Sequence, residues 1–333
     1  YQKLEKMASV NITNSTELIP GLDYYIPLPL APVVIYNIIS GLAVVANILN
    51  LVILVYMGQK NRQSSMPVNY RMFLFVLSMA DLTLGMARLI TSNPVNQQLM
   101  LSHRGYCIFQ AIVVHSGLMV GCTSVFMINI DRILAFTKQQ SYQHSFFVKH
   151  FKKLLGCVVL FATSLYVSLG IIFRDIGYRV KGVGACKMGS EKLPSLGMVS
   201  VGVIFVELVL ICICCAYLLY RTSNFSRESQ VAQHIIKRNK IITITITAVV
   251  ACKLVTWLPI MSTVLTRALK TNCEPCEWVG LITMTLNPLI NPIIYGLSNR
   301  NYIRFVRALR MKHVSRIQPQ ANSSGADTTT EMH

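Results

Sequence analysis

The sequence predicts an all-α membrane protein, a bundle of seven transmembrane helices followed by a short amphipathic helix in the membrane interface. Three observations predict it. Seven apolar runs, at 33–57, 73–90, 108–136, 154–173, 198–220, 241–265 and 278–297, each reach or approach the roughly 20 residues that a helix needs to cross the hydrocarbon core. None shows the strict two-residue alternation of a barrel strand, so the backbone polar groups of each run must be satisfied within a helix. Composition agrees, with 53% of residues hydrophobic and 13% charged, against roughly 25% charged in an average soluble domain.

The elements follow in chain order. Residues 1–32 form an N-terminal segment with two glycosylation sequons, at Asn11 and Asn14. No secretory signal precedes the first run, so that run is expected to insert as its own signal, and Met7 is a candidate start. The seven-transmembrane domain spans 33–297. Its first run carries Asn47, the second Asp81 and Arg88, and the third ends on Asp131-Arg132. The fourth is purely apolar over most of its length, and the fifth carries Glu207. The sixth holds Lys253, Trp257 and Pro259, and the seventh Thr285, Asn287, Asn291, Pro292 and Tyr295. Residues 298–312 place Tyr302, Phe305, Val306 and Leu309 at helical spacing with basic residues between them, the pattern of an interfacial helix. The polar tail, 313–333, is expected to be disordered and offers Ser323, Ser324 and Thr328 to Thr330 as kinase targets.

A net charge of +18 raises nucleic acid as a partner, but the charges are sorted by side. With the N-terminus outside, segments facing the cytoplasm carry 19 Lys and Arg against 4 acidic residues, and the outer segments 11 against 7. Basic cytoplasmic loops orient membrane proteins, so the excess sets topology and meets anionic lipid. The expected partners therefore include membrane lipid and no nucleic acid. The N-terminus is expected outside and the C-terminus inside the cell, with the sequons on the glycosylated side.

Ten cysteines divide by location. Cys122, Cys157, Cys212, Cys214, Cys215 and Cys252 lie in or near the helices and read as small apolar packers. Cys107 at the outer end of the third run and Cys186 in the loop before the fifth are expected to pair, because the exterior is oxidising. Cys273 and Cys276 form a C-x-x-C before the seventh run, where a local disulfide is expected; a metal would need ligands that the loop does not supply. No metal or cofactor is expected.

Charged and amide groups are expensive in lipid, so each one within a run is a functional hypothesis. Asn47, Asp81, Asp131-Arg132, Trp257-Leu258-Pro259, Asn287 and Asn291-Pro292-Ile293-Ile294-Tyr295 stand in order, in successive runs. On these residues the chain resembles the rhodopsin-like (class A) G-protein-coupled receptors. Cys107 precedes Arg132 by 25 residues, about 38 Å of helix, which places one at each membrane face. The resemblance implies a cell-surface receptor in the plasma membrane. A ligand binds between the outer helix halves, the sixth helix bends at Pro259 and swings out, and a heterotrimeric G protein docks at the inner end. It implies that Trp257 is the toggle at the pocket floor and that Asp131, Arg132, Asn291, Pro292 and Tyr295 form the switch. Arrestin and a receptor kinase are further implied partners.

The chain departs from the family pattern at several places. The fourth run lacks tryptophan, the fifth lacks proline, and Pro288 stands where a small polar residue is usual. The inner end of the sixth run reads Lys237-Arg238-Asn239-Lys240, with no acidic partner for Arg132, which predicts raised basal signalling. Lys253 stands where the family usually has phenylalanine, and its ammonium needs a partner. Asp81, Glu207 and internal water are the alternatives. In many relatives the carboxylate at the place of Asp81 holds sodium, so Lys253 is a candidate replacement for that ion.

For the ligand, Val114 stands where amine receptors carry their aspartate, and Thr285 where retinal would need lysine, so neither ligand is expected. Arg88, Arg267 and the basic loop around Cys186 favour an anionic, peptide or lipid-like ligand, with lipid phosphate and glycans as the other reading of the same charges. His115 and Glu207 are further candidate contacts. A chemosensory receptor of the same fold is the alternative function. A seven-helix transporter would need inverted repeats or a polar file, and an enzyme paired catalytic groups, and neither pattern is legible.

Overall fold

The computed structural model describes residues 30–60, 68–93, 96, 103–137, 141–172, 178–181, 185–188, 196–225, 233–268, 274–298 and 303. Seven long helices carry the fold: α1 Leu30–Lys60, α2 Val68–Ser92, α3 Arg104–Thr137, α4 Phe151–Ile172, α5 Leu196–Phe225, α6 Gln233–Ala268 and α7 Glu274–Ser298. Each is long and apolar enough to span a bilayer. Between α3 and α4 lie a 3-10 turn at Tyr142–His144 and one helical turn at Phe146–Lys149.

Neighbour packing closes the bundle into a ring. α1 packs on α2 and α7, α2 on α3, α3 on α4 and α5, α5 on α6, and α6 on α7. α3 also meets α6, which makes it the inner helix: 67% of its apolar window is buried, against 22% for α4, which packs mainly on α3. The outward faces stay apolar, with Leu160, Phe161, Phe205, Val255 and Leu258 all exposed. So much exposed hydrocarbon fits a lipid surface, because a soluble surface rarely leaves patches of this size uncovered. Inside, Tyr70, Phe73, Leu77, Ile128, Val250 and Tyr295 pack one apolar cluster near the Arg132 end. Trp257, Leu84, Leu118, Cys122, Ile204 and Leu208 pack another at mid-depth.

Two glycines let helices approach closely, as small residues do in membrane bundles. A Cβ on Gly280 of α7 would lie 2.9 Å from the Ile260 Cα of α6, and one on Gly85 of α2 would lie 2.9 Å from Val44 Cγ2 of α1.

The sequence reading is amended in three places. A two-stranded antiparallel hairpin, β1 Tyr178–Lys181 and β2 Ala185–Met188, lies in the loop before the fifth run, for which no element was expected, with Val180 opposite Cys186. β2 packs against α3 and α5. Helix α7 begins four residues before the apolar run, so Cys276 sits in its first turn rather than in a loop. Helix α6 begins eight residues before its run and carries the basic stretch 237–240 as helix. In each helix the backbone ladder runs past the apolar limit, because helical geometry does not stop where hydrophobicity does. The expected interfacial helix at 298–312, the tail, and the sequons at Asn11 and Asn14 lie outside the described residues, apart from Ser298, which ends α7, and Ile303.

Candidate functional site

The polar side chains expected to carry function stand along the ring's interior in three levels, from the Cys107 end to the Arg132 end. At the first level, Arg88 of α2 is 3% exposed and Tyr36 of α1 6%. Tyr36 shares a side-chain hydrogen bond with Thr285 of α7 and lies in the field of Arg88. Thr285 donates to the carbonyl of Leu281 at 2.7 Å, a local bond that satisfies its proton within its own helix. Among the described residues, neither Nη atom of Arg88 has a hydrogen-bond partner.

The second level surrounds Trp257, which is buried in the apolar cluster with Val114 packed beside it. Lys253, one turn away along α6, is buried and meets the thiol of Cys122 on α3. It acts through space on Asp81 and Glu207 but forms an ion pair within 4 Å with neither, since the described residues contain only one ion pair, elsewhere. Each carboxylate has its own donor. Asn291 donates to Asp81 at 2.8 Å, joining α7 to α2, and Thr123 donates to Glu207 at 2.6 Å, joining α3 to α5. Lys253 thus stands in the electrostatic field of both carboxylates. Gly121 and Pro288 bring no side-chain oxygen to Asp81, and a fixed ammonium stands in its field. That donor set does not fit a bound sodium ion.

Asn47 shows why an amide belongs inside this bundle. Pro292 has no N–H, so the carbonyl four residues earlier, on Pro288, loses its helical partner. Asn47 donates to that carbonyl at 2.8 Å and to Ala43 at 2.9 Å, fastening α1 to the interrupted turn of α7. Asn50 donates to Ser78 at 2.6 Å and fastens α1 to α2. The proline interruption and the α1 amide therefore form one device.

At the third level Arg132 and Asp131, both buried, form an ion pair within α3, with Nε donating to Oδ2 at 3.0 Å. Tyr142, in the turn after α3, donates to the other oxygen of Asp131 at 2.6 Å. Burial first, and the Asp131 carboxylate second, push the Tyr142 phenol well above its ordinary pKa, so it remains a donor at neutral pH. The Arg132 guanidinium lies 5.7 Å from the Tyr70 ring centre, a cation–π arrangement. Tyr295 is buried nearby in the cluster with Tyr70, and its hydroxyl has no partner among the described residues.

Several candidate residues stand elsewhere. His115 stacks on Tyr166 of α4, ring centres 5.7 Å apart, so it lines the α3/α4 seam and not the Arg88 level. Asn287 is buried with an unpartnered Oδ1. Pro259 sits inside α6, which continues through it. Cys107 and Cys276 each take part in a disulfide. The side chains of Cys186 and Arg267, and Cys273 altogether, lie outside the described residues, although β2 carries Cys186 beside α3. Sequence reasoning missed Tyr36, Tyr70, Thr123 and Tyr142. An aromatic or hydroxyl residue in an apolar run carries no local signal of its partner, which arrives from another helix.

The sequence model described as "7 transmembrane receptor (rhodopsin family)" matches residues 47–295, from Asn47 of α1 to Tyr295 of α7. No curated protein matches the chain.

Proposed function

Because the chain belongs to the rhodopsin family of seven-transmembrane receptors, we propose that it is a plasma-membrane receptor that takes an extracellular ligand between its helices at the Cys107 end and activates a heterotrimeric G protein at the Arg132 end. The N-terminus faces outward in this reading, as the sidedness of the basic residues requires. The observation that carries it is the restraint on Arg132. That arginine is held by Asp131 of its own helix, by Tyr142 through Asp131, and by the ring of Tyr70. No described carboxylate of α6 joins them, and the stretch 237–240 contains none by sequence.

Outward movement of α6 therefore breaks no ion pair to Arg132. It opens the space beside Tyr70 and Tyr295, where Arg132 and the unpartnered Tyr295 hydroxyl receive the G protein. With one restraint fewer, the resting state is shallower and basal signalling is raised. The ligand is neither a biogenic amine nor retinal, because Val114 packs in an apolar cluster and Thr285 offers a hydroxyl in place of an amine. An anionic ligand is favoured by the buried guanidinium of Arg88.

Guanine-nucleotide exchange tests this reading. The receptor is placed in lipid nanodiscs with a panel of purified heterotrimers. Exchange without ligand should exceed the receptor-free control for at least one heterotrimer and fall to that control for Arg132→Ala. Exchange at the receptor-free rate across the panel, or exchange unaffected by the substitution, would sink it.

A further inference from the structure

Arg88 is the one buried cation of the bundle's interior that no described polar group satisfies. It is 97% buried, and both of its terminal nitrogens lack a hydrogen-bond acceptor among the described residues. Arg132 differs because Asp131 neutralises it, and Lys253 differs because it meets Cys122 within the field of two carboxylates. Asp81 also feels Arg88, but lies seven residues away on the same helix and already accepts from Asn291. A guanidinium stays charged at any physiological pH, so it cannot escape burial by losing its proton. A buried charge without a partner is strongly destabilising, and such groups ordinarily pair.

The surroundings suit an anion with a hydroxyl-recognising face. Tyr36 lies in the field of Arg88, and its hydroxyl bonds that of Thr285. With the Thr285 proton directed to Leu281, the Tyr36 hydroxyl can turn from Thr285 to donate elsewhere. The three residues come from α1, α2 and α7, the sector that Gly85 draws together by letting α2 approach α1. Among the described residues, the other titratable group acting on this level is Asp81, a carboxylate, which adds no competing positive charge.

We propose that Arg88, with Tyr36 and Thr285, forms a binding subsite between α1, α2 and α7 for the carboxylate of a small organic monoanion. The guanidinium fork pairs with both carboxylate oxygens, a bidentate geometry that a planar carboxylate matches and a lone halide does not. The Tyr36 hydroxyl donates a third bond, and the carboxylate oxygens give the guanidinium the acceptors that no described residue supplies. The carbon chain then lies toward the apolar cluster around Trp257. This rests on the receptor reading and names the chemistry of the ligand's head group.

The test uses the full chain in nanodiscs and follows its thermal unfolding with octanoate, octanol, octylamine, inorganic phosphate and chloride as probes. Octanoate should raise the melting temperature saturably by about 3 °C or more, while octanol and octylamine should not. Arg88→Gln should weaken octanoate by about 10- to 100-fold, the ordinary cost of losing a charge-assisted pair. Arg88→Met should unfold at a higher temperature than the unmodified protein without ligand, because it removes an unpaired charge, and should not respond to octanoate. That outcome also separates the proposal from a folding defect. Equal shifts with octanol, a response only to phosphate or chloride, no response to octanoate, or an octanoate response that survives Arg88→Met would each overturn it. Ligand-free nucleotide exchange by the unmodified chain is measured alongside. Exchange without an octanoate response removes this subsite alone, whereas no exchange removes the receptor reading itself.

Discussion

At the scale of single residues, the interior is organised by hydrogen bonds that repair local deficits. Asn47 answers the carbonyl orphaned by Pro292, and Tyr142 answers the second oxygen of Asp131. The second bond sets how firmly Arg132 is held, since a carboxylate with both oxygens engaged keeps a fixed geometry for its guanidinium. Tyr142→Phe should therefore loosen the Asp131–Arg132 pair and raise ligand-free nucleotide exchange about twofold to tenfold, with little change in melting temperature. Unchanged exchange would remove Tyr142 from the restraint. The raised phenol pKa gives the pH dependence. The protonated form is favoured in the folded state, so the bond's contribution is complete below the ordinary tyrosine pKa of about 10 and is lost only as pH rises beyond it. Exchange should show no Tyr142-dependent change between about pH 6 and 9, well below that value.

At the scale of elements, close packing of helix on helix depends on where side chains are missing. The Gly280 contact is with the backbone of Ile260, which cannot rotate aside as a flexible side chain could. Gly280→Ala should force α6 and α7 apart and lower the melting temperature, at a cost of about 1–3 kcal/mol typical of overpacking. Gly156→Ala on α4 provides the contrast, because a Cβ there meets nothing within 4 Å. That substitution should be neutral or stabilising by up to about 1 kcal/mol, the gain expected when alanine replaces a helical glycine. Equal losses at both sites would show that the α6/α7 contact is not the reason. The elements themselves were legible: each apolar run became a helix, and Pro259 and Pro292 fell within helices as the sequence required. The hairpin was not, because its two four-residue strands are stabilised by pairing with each other and by packing on α3 and α5.

At the scale of the whole molecule, one buried ammonium links four helices electrostatically. Lys253 of α6 meets Cys122 of α3 and acts on Asp81 of α2 and Glu207 of α5. Replacing it by methionine leaves Glu207 without a cation acting on it and Asp81 with only the field of Arg88, so Lys253→Met should destabilise the protein by about 3 kcal/mol or more. It should also create sodium dependence, with sodium chloride raising the melting temperature of the variant more than choline chloride does, and no such difference in the unmodified protein. An identical sodium response in both would remove the ammonium from that role.

The sequence by itself determined the class of fold, the membrane, the seven spans and which polar residues stood inside them. Those follow from composition and run length, properties of contiguous residues that need no neighbour. Only the tertiary structure decided which polar group meets which among the described residues: that Asp131 pairs with Arg132, that Lys253 lies in the field of two carboxylates without an ion pair to either, that His115 faces α4, and that neither Nη atom of Arg88 has an acceptor. Partnership between helices depends on their rotation and closure into a ring, and a cation in one run gives no local sign of the distance to an anion in another.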